Sequence, residues 1–439
     1  MTMVFPGLDP AAIARALVQV AGDEDEESAE VYFERRLDAE LPPAGSPVGL
    51  RVRREEGLAV RMTRGERGWI ASRDALDGRA LAEALRQVAR VGPAASAEPE
   101  FAVGPAPVEV PRAELLAFPG RLERELRRRL AAFPLRLTVR SHRRDLQVVG
   151  PRVVPPAERE AFFSLDAELP WGGCGELATT LGDEEAAAFA ARLLFRFRAR
   201  EARAPESGRP PLVFAPAAAA VALHEAVAHA LEADLLARSG RPDAGIGLEL
   251  AAAGLSVLDD PGAAPAGVER ATDDEGVPVV RRWLLREGRV EQPIADAVAA
   301  RRWPLLVPGS GFRSGRHGRP LPRTYHLELL AGTASADDLA AVAAGGLWIP
   351  EIASGALDPA SGRFVLDVPA ARRVGGPASG EPVGRFRVEG RVADLLAGVV
   401  AVGSECASAG AGWCAKGGER RAVWARSPAL AVTGLEVRS

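Results

Sequence analysis

Apolar and polar residues alternate over short lengths between Glu30 and Ser72, in the segments VYFERRL, VGLRVRR, GLAVRMT and RGWIAS, which Gly or Pro separates. A period of two sends successive side chains to opposite faces, so the pattern predicts an antiparallel meander with one buried face. Helical spacing replaces it over residues 11–20 and 76–91. The acidic run DEDEE at 23–27 reads as a solvated turn, and the Pro-containing stretch 94–111 as a linker or long loop. Residues 113–132 predict an amphipathic helix. Its ERELRRRL cluster admits RNA binding, but interleaved Glu and Leu favour a solvated face.

Strands are expected at 135–139, 146–149 and 160–169, followed by a glycine turn WGGCGE and a helix over 184–200. The tract ARAPESGRPP, 202–211, cannot continue that helix and marks a boundary between an N-terminal domain, 1–205, and a C-terminal one, 206–439. Beyond it, short strands alternate with Gly-containing turns, with further helices only at 294–302, 336–344 and 392–399. The fold class is therefore α+β: an N-terminal α/β-mixed domain with an antiparallel sheet, then a mainly-β domain built around one ligand-bearing helix.

That helix is the run 217–236, rich in Ala and Leu and free of Gly and Pro, with Pro216 before it and Gly240 after it. It carries His224, Glu225, His229, Glu232 and Asp234. Imidazoles ligate zinc, and a glutamate beside one of them can act as general base. The spacing is H-E-x-x-x-H, however, one residue longer than the H-E-x-x-H of zinc peptidases. Positions five apart on an ideal helix point about 140° away from each other. Chelation by this pair therefore predicts a single-turn π-bulge between Glu225 and His229. Glu232 falls near the face of Glu225 and His229, and either orients His229 or binds metal itself. Asp234 does similar work or lies in solvent. Taken alone, the motif fits a metal site or two satisfied structural histidines.

The net charge of −4 over 439 residues gives no bulk electrostatic case for nucleic acid or a membrane surface. Cys174, Cys406 and Cys414 form neither a disulfide framework nor a C-x-x-C pair, which fits a reducing compartment. The N-terminus lacks a secretory pattern and no apolar run reaches bilayer length, so a cytoplasmic protein is expected. Cys414 lies among Gly410, Gly412, Gly417 and Gly418, where the backbone can approach a partner closely. A buried apolar thiol is the plain alternative. Turn formation accounts for the pairs Asp259-Asp260 and Asp273-Asp274, with a second metal as the lesser reading. The loop GSGFRSGRHGRPLPRTYH, 309–326, reads either as a mobile basic loop that holds a peptide or as a plain solvated one.

The segment HEAVAHALEAD resembles the HEAxGHxxEGD motif of the TldD branch of the TldD/PmbA family of zinc metallopeptidases. The likeness extends through VLDD at 257–260, TDDEGVP at 272–278, GRPLPR at 318–323 and SGRFVLDV at 361–368. It ends at GAGWCAKGGE, 410–419, which is similar to the family's GxCGKDGQ; near the N-terminus AEVYFERR and EGLAVRMTRGERGWIASRD look like its opening strands. The resemblance implies a Zn2+ site of His224, His229 and Cys414 with water in the fourth position, and Glu225 as catalytic acid/base. It also implies short or unfolded peptides as substrates, as in peptide maturation, and assembly with a motif-lacking PmbA/TldE-type sister, with a homodimer as alternative. Departures stand at Ala228, Ala233, Ala415, Gly417 and Glu419, and in Thr324-Tyr325-His326 after Arg323, where the family has MTNTY and substrate contacts are expected. They keep a catalytically inert structural or peptide-binding subunit as the alternative function. A thiol enzyme built on Cys414 is a third.

Overall fold

The computed structural model describes residues 5, 7–21, 27–89, 103, 109–130, 133–151, 154–238, 245–251, 254–375 and 380–439. The acidic run at 23–27 and the stretch 94–111 fall almost wholly outside them. The architecture is mixed α+β, as the periodicities predict. Six antiparallel strands open it, in the spatial order Arg67–Arg73, Arg51–Arg64, Glu27–Leu41, Arg136–Val149, Glu158–Leu169 and Gly172–Ala178.

One face of this sheet is apolar and carries four helices. Ile13 and Leu17 of helix Pro10–Ala21 and Leu81 and Leu85 of helix Gly78–Ala89 pack on Val31, Phe33, Leu58 and Val60. Toward the other end, Phe118 and Leu122 of helix Arg112–Arg127 and Phe189 and Leu193 of helix Asp183–Ala199 pack on Val139 and Leu165. The opposite face holds Glu30, Glu34, Arg61, Arg144 and Glu160, all buried.

Three local readings change. VGLRVRR and GLAVRMT are one strand, Arg51–Arg64, and Gly57 within it is no turn: a Cβ there would sit 2.7 Å from Arg316 Cδ. The glycine marks a close approach of the Arg73 backbone carbonyl and of the Arg316 side chain. The strands expected at 135–139 and 146–149 are also one, Arg136–Val149, because the polar run between them finds buried partners across the sheet. WGGCGE turns only at its start, and Gly172–Ala178 continues as a strand.

The second half is mainly strand. Its long hairpin, Val399–Lys416 with Glu419–Val432, turns at Gly417 and Gly418, both at positive φ, the two-residue turn whose twist suits a hairpin. A separate antiparallel sheet orders Ser354–Asp358, Arg363–Val368, Phe386–Arg391 and Glu436–Arg438. The alanine-rich helix Pro216–Leu223 lies between hairpin and sheet, where small side chains allow close approach; Leu223, Val227 and Leu231 share a core with Phe364, Leu366 and Leu430. Backbone pairing of Ala411 with Leu177 joins the hairpin to the N-terminal sheet.

Loop 309–326 is neither mobile and basic nor plainly solvated. Arg313 and Arg323 are fully buried and Arg316 nearly so. Arg316 meets Asp74 at 2.7 Å, Arg313 meets Glu30 at 3.3 Å, and Glu419 accepts the backbone N–H of Ser314 and Arg319. The loop is thereby pinned across the polar face of the N-terminal sheet.

Candidate metal centre

The α-helix stops at Leu223, and His224–Ala228 forms a turn of π-helix, followed by a short 3-10 turn, His229–Leu231. This is the distortion that the H-E-x-x-x-H spacing requires, and it brings the two imidazole centroids to 4.6 Å. The run is not one continuous helix to residue 236. Glu232 is extended, because Leu231 O and Ala233 N pair with the backbone of Ile294, and helix resumes at Ala233–Arg238. Glu232 thus reaches His229 through a tight turn rather than along a helical face.

The hairpin supplies the third group. Cys414 Sγ lies 3.5 Å from His229 Nε2, and ligand atoms of His224, His229 and Cys414 all fall within 4.8 Å of one another, each side chain buried. The donor set fits a metal such as zinc, since two imidazoles and a thiolate are its usual nitrogen and sulfur ligands. A second observation agrees: His224 Nε2 is buried without a hydrogen-bond partner, a state polar atoms in protein interiors rarely keep.

The same groups are electrostatically coupled. Burial alone would push the Cys414 thiol up, but His224 and His229 hold it well below its ordinary value. Burial also disfavours a charged His229, yet Glu232 and Cys414 hold it well above the usual imidazole range. The first shift favours the thiolate, the form that ligates metal, whereas His229 must give up its Nε2 proton to do so. Arg323 is fully buried, donating to Cys414 O at 2.8 Å and to Sγ at 3.4 Å. It supports the sulfur and does not face an open surface, so a direct substrate contact by Arg323 does not follow.

Glu232 is fully buried, and its Oε2 accepts from His229 Nδ1 at 2.8 Å. Burial raises its carboxyl, but His229 and Lys416 bring it down to about 2. The bond leaves His229 Nε2 on the side of Cys414. Lys416 Nζ reaches Glu232 at 2.9 Å, Asp234 at 2.6 Å and Pro322 O at 2.6 Å. Asp234 is consequently neither free in solvent nor on the imidazole; it acts on Lys416. The sequence reading does not single out Lys416. Its signal is that it stands two strand positions after Cys414, hence on the same face.

Glu225, half-buried, lines a cavity of about 610 Å³ together with His224, His229, Trp413, Arg420 and Ile352. Its side chain lies against Gly355, where an added Cβ would stand 3.0 Å from Glu225 Cδ and closer still to Cγ. The acidic pairs do other work than turns alone. Asp259 accepts the backbone N–H of Tyr325 and His326, and Asp274 binds Arg144, Arg270 and Arg421. Asp273 keeps a turn role, accepting from Glu275 N and Val277 N, but also accepts from Gly311 N at 2.9 Å, and Asp260 opens the short turn Pro261–Ala263.

Residues 207–439, more than half of the chain, match the family model for the PmbA/TldA metallopeptidase C-terminal domain. The chain belongs to that family. Among its relatives, a metalloprotease TldD homolog of Haemophilus influenzae is 28% identical over 236 residues, covering 53% of this chain and 49% of its own length. A metalloprotease of Methanothermobacter thermautotrophicus is 29% identical over 223 residues, 51% of this chain and 48% of its own. The chain thus spans about half the length of the curated relatives it matches. The crystal structure of TldE from Thermococcus kodakarensis shares the fold, with a TM-score of 0.72 at 17% identity over 94% of this chain and 97% of that one. No helix among the described residues of this PmbA/TldA-family chain is long and apolar enough to cross a membrane.

Proposed function

We propose that this chain is a zinc-dependent peptide hydrolase of the TldD type, acting on short or unfolded peptides. The observation that carries the proposal is the convergence of His224, His229 and Cys414, from a π-helical turn, the residue after it and one hairpin, at a cavity lined by His224, Glu225 and His229. Relatives named metalloprotease support it. Zinc held by these three side chains would supply Lewis acidity, polarising a scissile carbonyl and acidifying water.

The chain's own residues do the rest. Glu225 takes the proton of the attacking water and returns it to the leaving amine. Glu232 fixes the ring of His229, and Arg323 fixes Cys414. A cavity of about 610 Å³ admits a short extended segment and excludes a folded domain, which favours unfolded substrates. The TldE likeness supports assembly with a TldE-type sister, a second copy of this chain being the other arrangement. Three free cysteines favour a reducing, cytoplasmic setting.

The test combines metal content with one variant. Protein purified without added zinc is expected to hold about one equivalent, and Glu225→Gln to keep that metal while losing about 10²–10⁴-fold in hydrolysis of an unstructured peptide. Well under one equivalent, or full activity in Glu225→Gln, would sink the proposal.

A further inference from the structure

We infer that Lys416 is a positioning residue for metal capture, holding Glu232 against His229 from the side opposite the sulfur; the inference rests on the metal site proposed above. Two independent observations carry it. The first is compositional: the chain has fifty-five basic residues, and all but Lys416 are arginine. A composition that replaces lysine by arginine everywhere else keeps one ammonium, and keeps it at this site.

The second observation is geometric. Nζ meets Glu232 Oε2, Asp234 Oδ1 and Pro322 O, three acceptors for the three donors of an ammonium. A guanidinium is planar, bulkier and forked, so its donors cannot converge from one point on three acceptors around it. Lysine is also short enough in its charged head to fit: its side chain is only 8% exposed, and Glu232 beneath it is wholly enclosed. Without Lys416, Glu232 would share a buried site with His229 alone, its Oε1 already lacking a hydrogen-bond partner.

Connectivity gives the arrangement its consequence. Cys414 and Lys416 are two residues apart on one strand, and the Gly417-Gly418 turn sets where both arrive. One docking event delivers the sulfur to the front of His229 and the ammonium to the carboxylate behind it. The carboxylate holds the Nδ1 side of the ring, leaving Nε2 to face the metal. Asp234, 30% exposed, tethers Lys416 from the solvent side.

The test uses the full chain and zinc alone, with affinity read by competition against a chromophoric chelator and the metal-free thermal midpoint read alongside. Lys416→Met is expected to weaken zinc binding about 10–100-fold, as loss of groups that orient ligands does. Lys416→Arg, which keeps the charge, is expected to weaken it by about tenfold or more while the metal-free midpoint falls less than in Lys416→Met. Should Lys416→Met fail to fold, Glu232→Gln added to it removes both charges and keeps an oxygen for His229 Nδ1; that pair is also expected to bind zinc about tenfold more weakly. Parental zinc affinity in Lys416→Arg or in either folded Met variant overturns the inference. A parent chain that binds zinc but cleaves no peptide overturns the peptidase reading alone, whereas a parent without zinc affinity overturns both.

Discussion

Arg144 donates to Asp274 at 2.8 Å, a buried ion pair between residues 130 positions apart that locks the N-terminal sheet to the second half of the chain. Arg270 and Arg421 share the same carboxylate at 3.0 and 3.1 Å. Asp274→Ala leaves three buried cations short of a partner and is expected to cost about 3–5 kcal/mol. Urea denaturation measures it, and a loss under about 1 kcal/mol would show the arginines to be adequately served by Glu160.

The same cluster sets the acid limit of the fold. Burial raises Glu160, but Arg144, Arg421 and Arg270 bring it down to about 2, and Asp274 is held below its ordinary value by the same three cations. A carboxyl depressed in the folded state contributes stability above its unfolded value, and that contribution is lost as pH falls through the folded one. The thermal midpoint is therefore expected to drop between about pH 4.5 and pH 2. A midpoint flat over that window would remove Glu160 and Asp274 as the acid-sensitive groups.

Asp296 has the opposite sign. Burial and then Glu275 push its carboxyl up to about 7, although its side chain caps helix Ala297–Arg302 through Ala299 N at 2.7 Å. Stability from a raised carboxyl is full below its unfolded value near 3.8 and is lost as pH rises toward 7. Asp296→Asn keeps the cap and removes the charge, so it is expected to be neutral at pH 4 and stabilising by on the order of 2 kcal/mol at pH 8. Equal midpoints for the two proteins at pH 8 would refute this.

What the sequence discloses about the site follows from how local each cause is. The π-turn at His224–Ala228 is legible because two histidines five apart cannot share an ion otherwise, and the strands are legible wherever one face is buried. Loop 309–326 is not, since its Gly and Arg content is that of a solvated loop, and its partners Glu30, Glu34, Asp74 and Glu419 are remote in sequence. Asp274 hides for the same reason. Gly57 misleads because a glycine that admits a neighbouring carbonyl and a crossing side chain looks, in sequence, like one that admits a turn. The break at Glu232 comes from pairing with Ile294, 62 residues on, which helical propensity cannot anticipate. Cys414 is ambiguous from its glycine neighbours alone, and the family resemblance is what points it at His229.

Gly355 tests how closely Glu225, the proposed acid/base, is held. Its strand, Ser354–Asp358, lies at the edge of the four-stranded sheet, and its missing side chain leaves the space that Glu225 occupies. Gly355→Ala forces Glu225 to another rotamer or moves the strand, and a displacement of about 1 Å in a catalytic group is enough to lose about 10²-fold. The three atoms nearest that added carbon are Glu225 Cγ and Cδ and Leu366 Cδ2, none of them from His224, His229 or Cys414. Hydrolysis of an unstructured peptide is therefore expected to fall about 10–100-fold in Gly355→Ala with zinc content unchanged. Zinc lost in parallel with activity would instead mean that the π-helical turn itself shifts, and parental activity would mean that Glu225 does not work from the position it holds against Gly355.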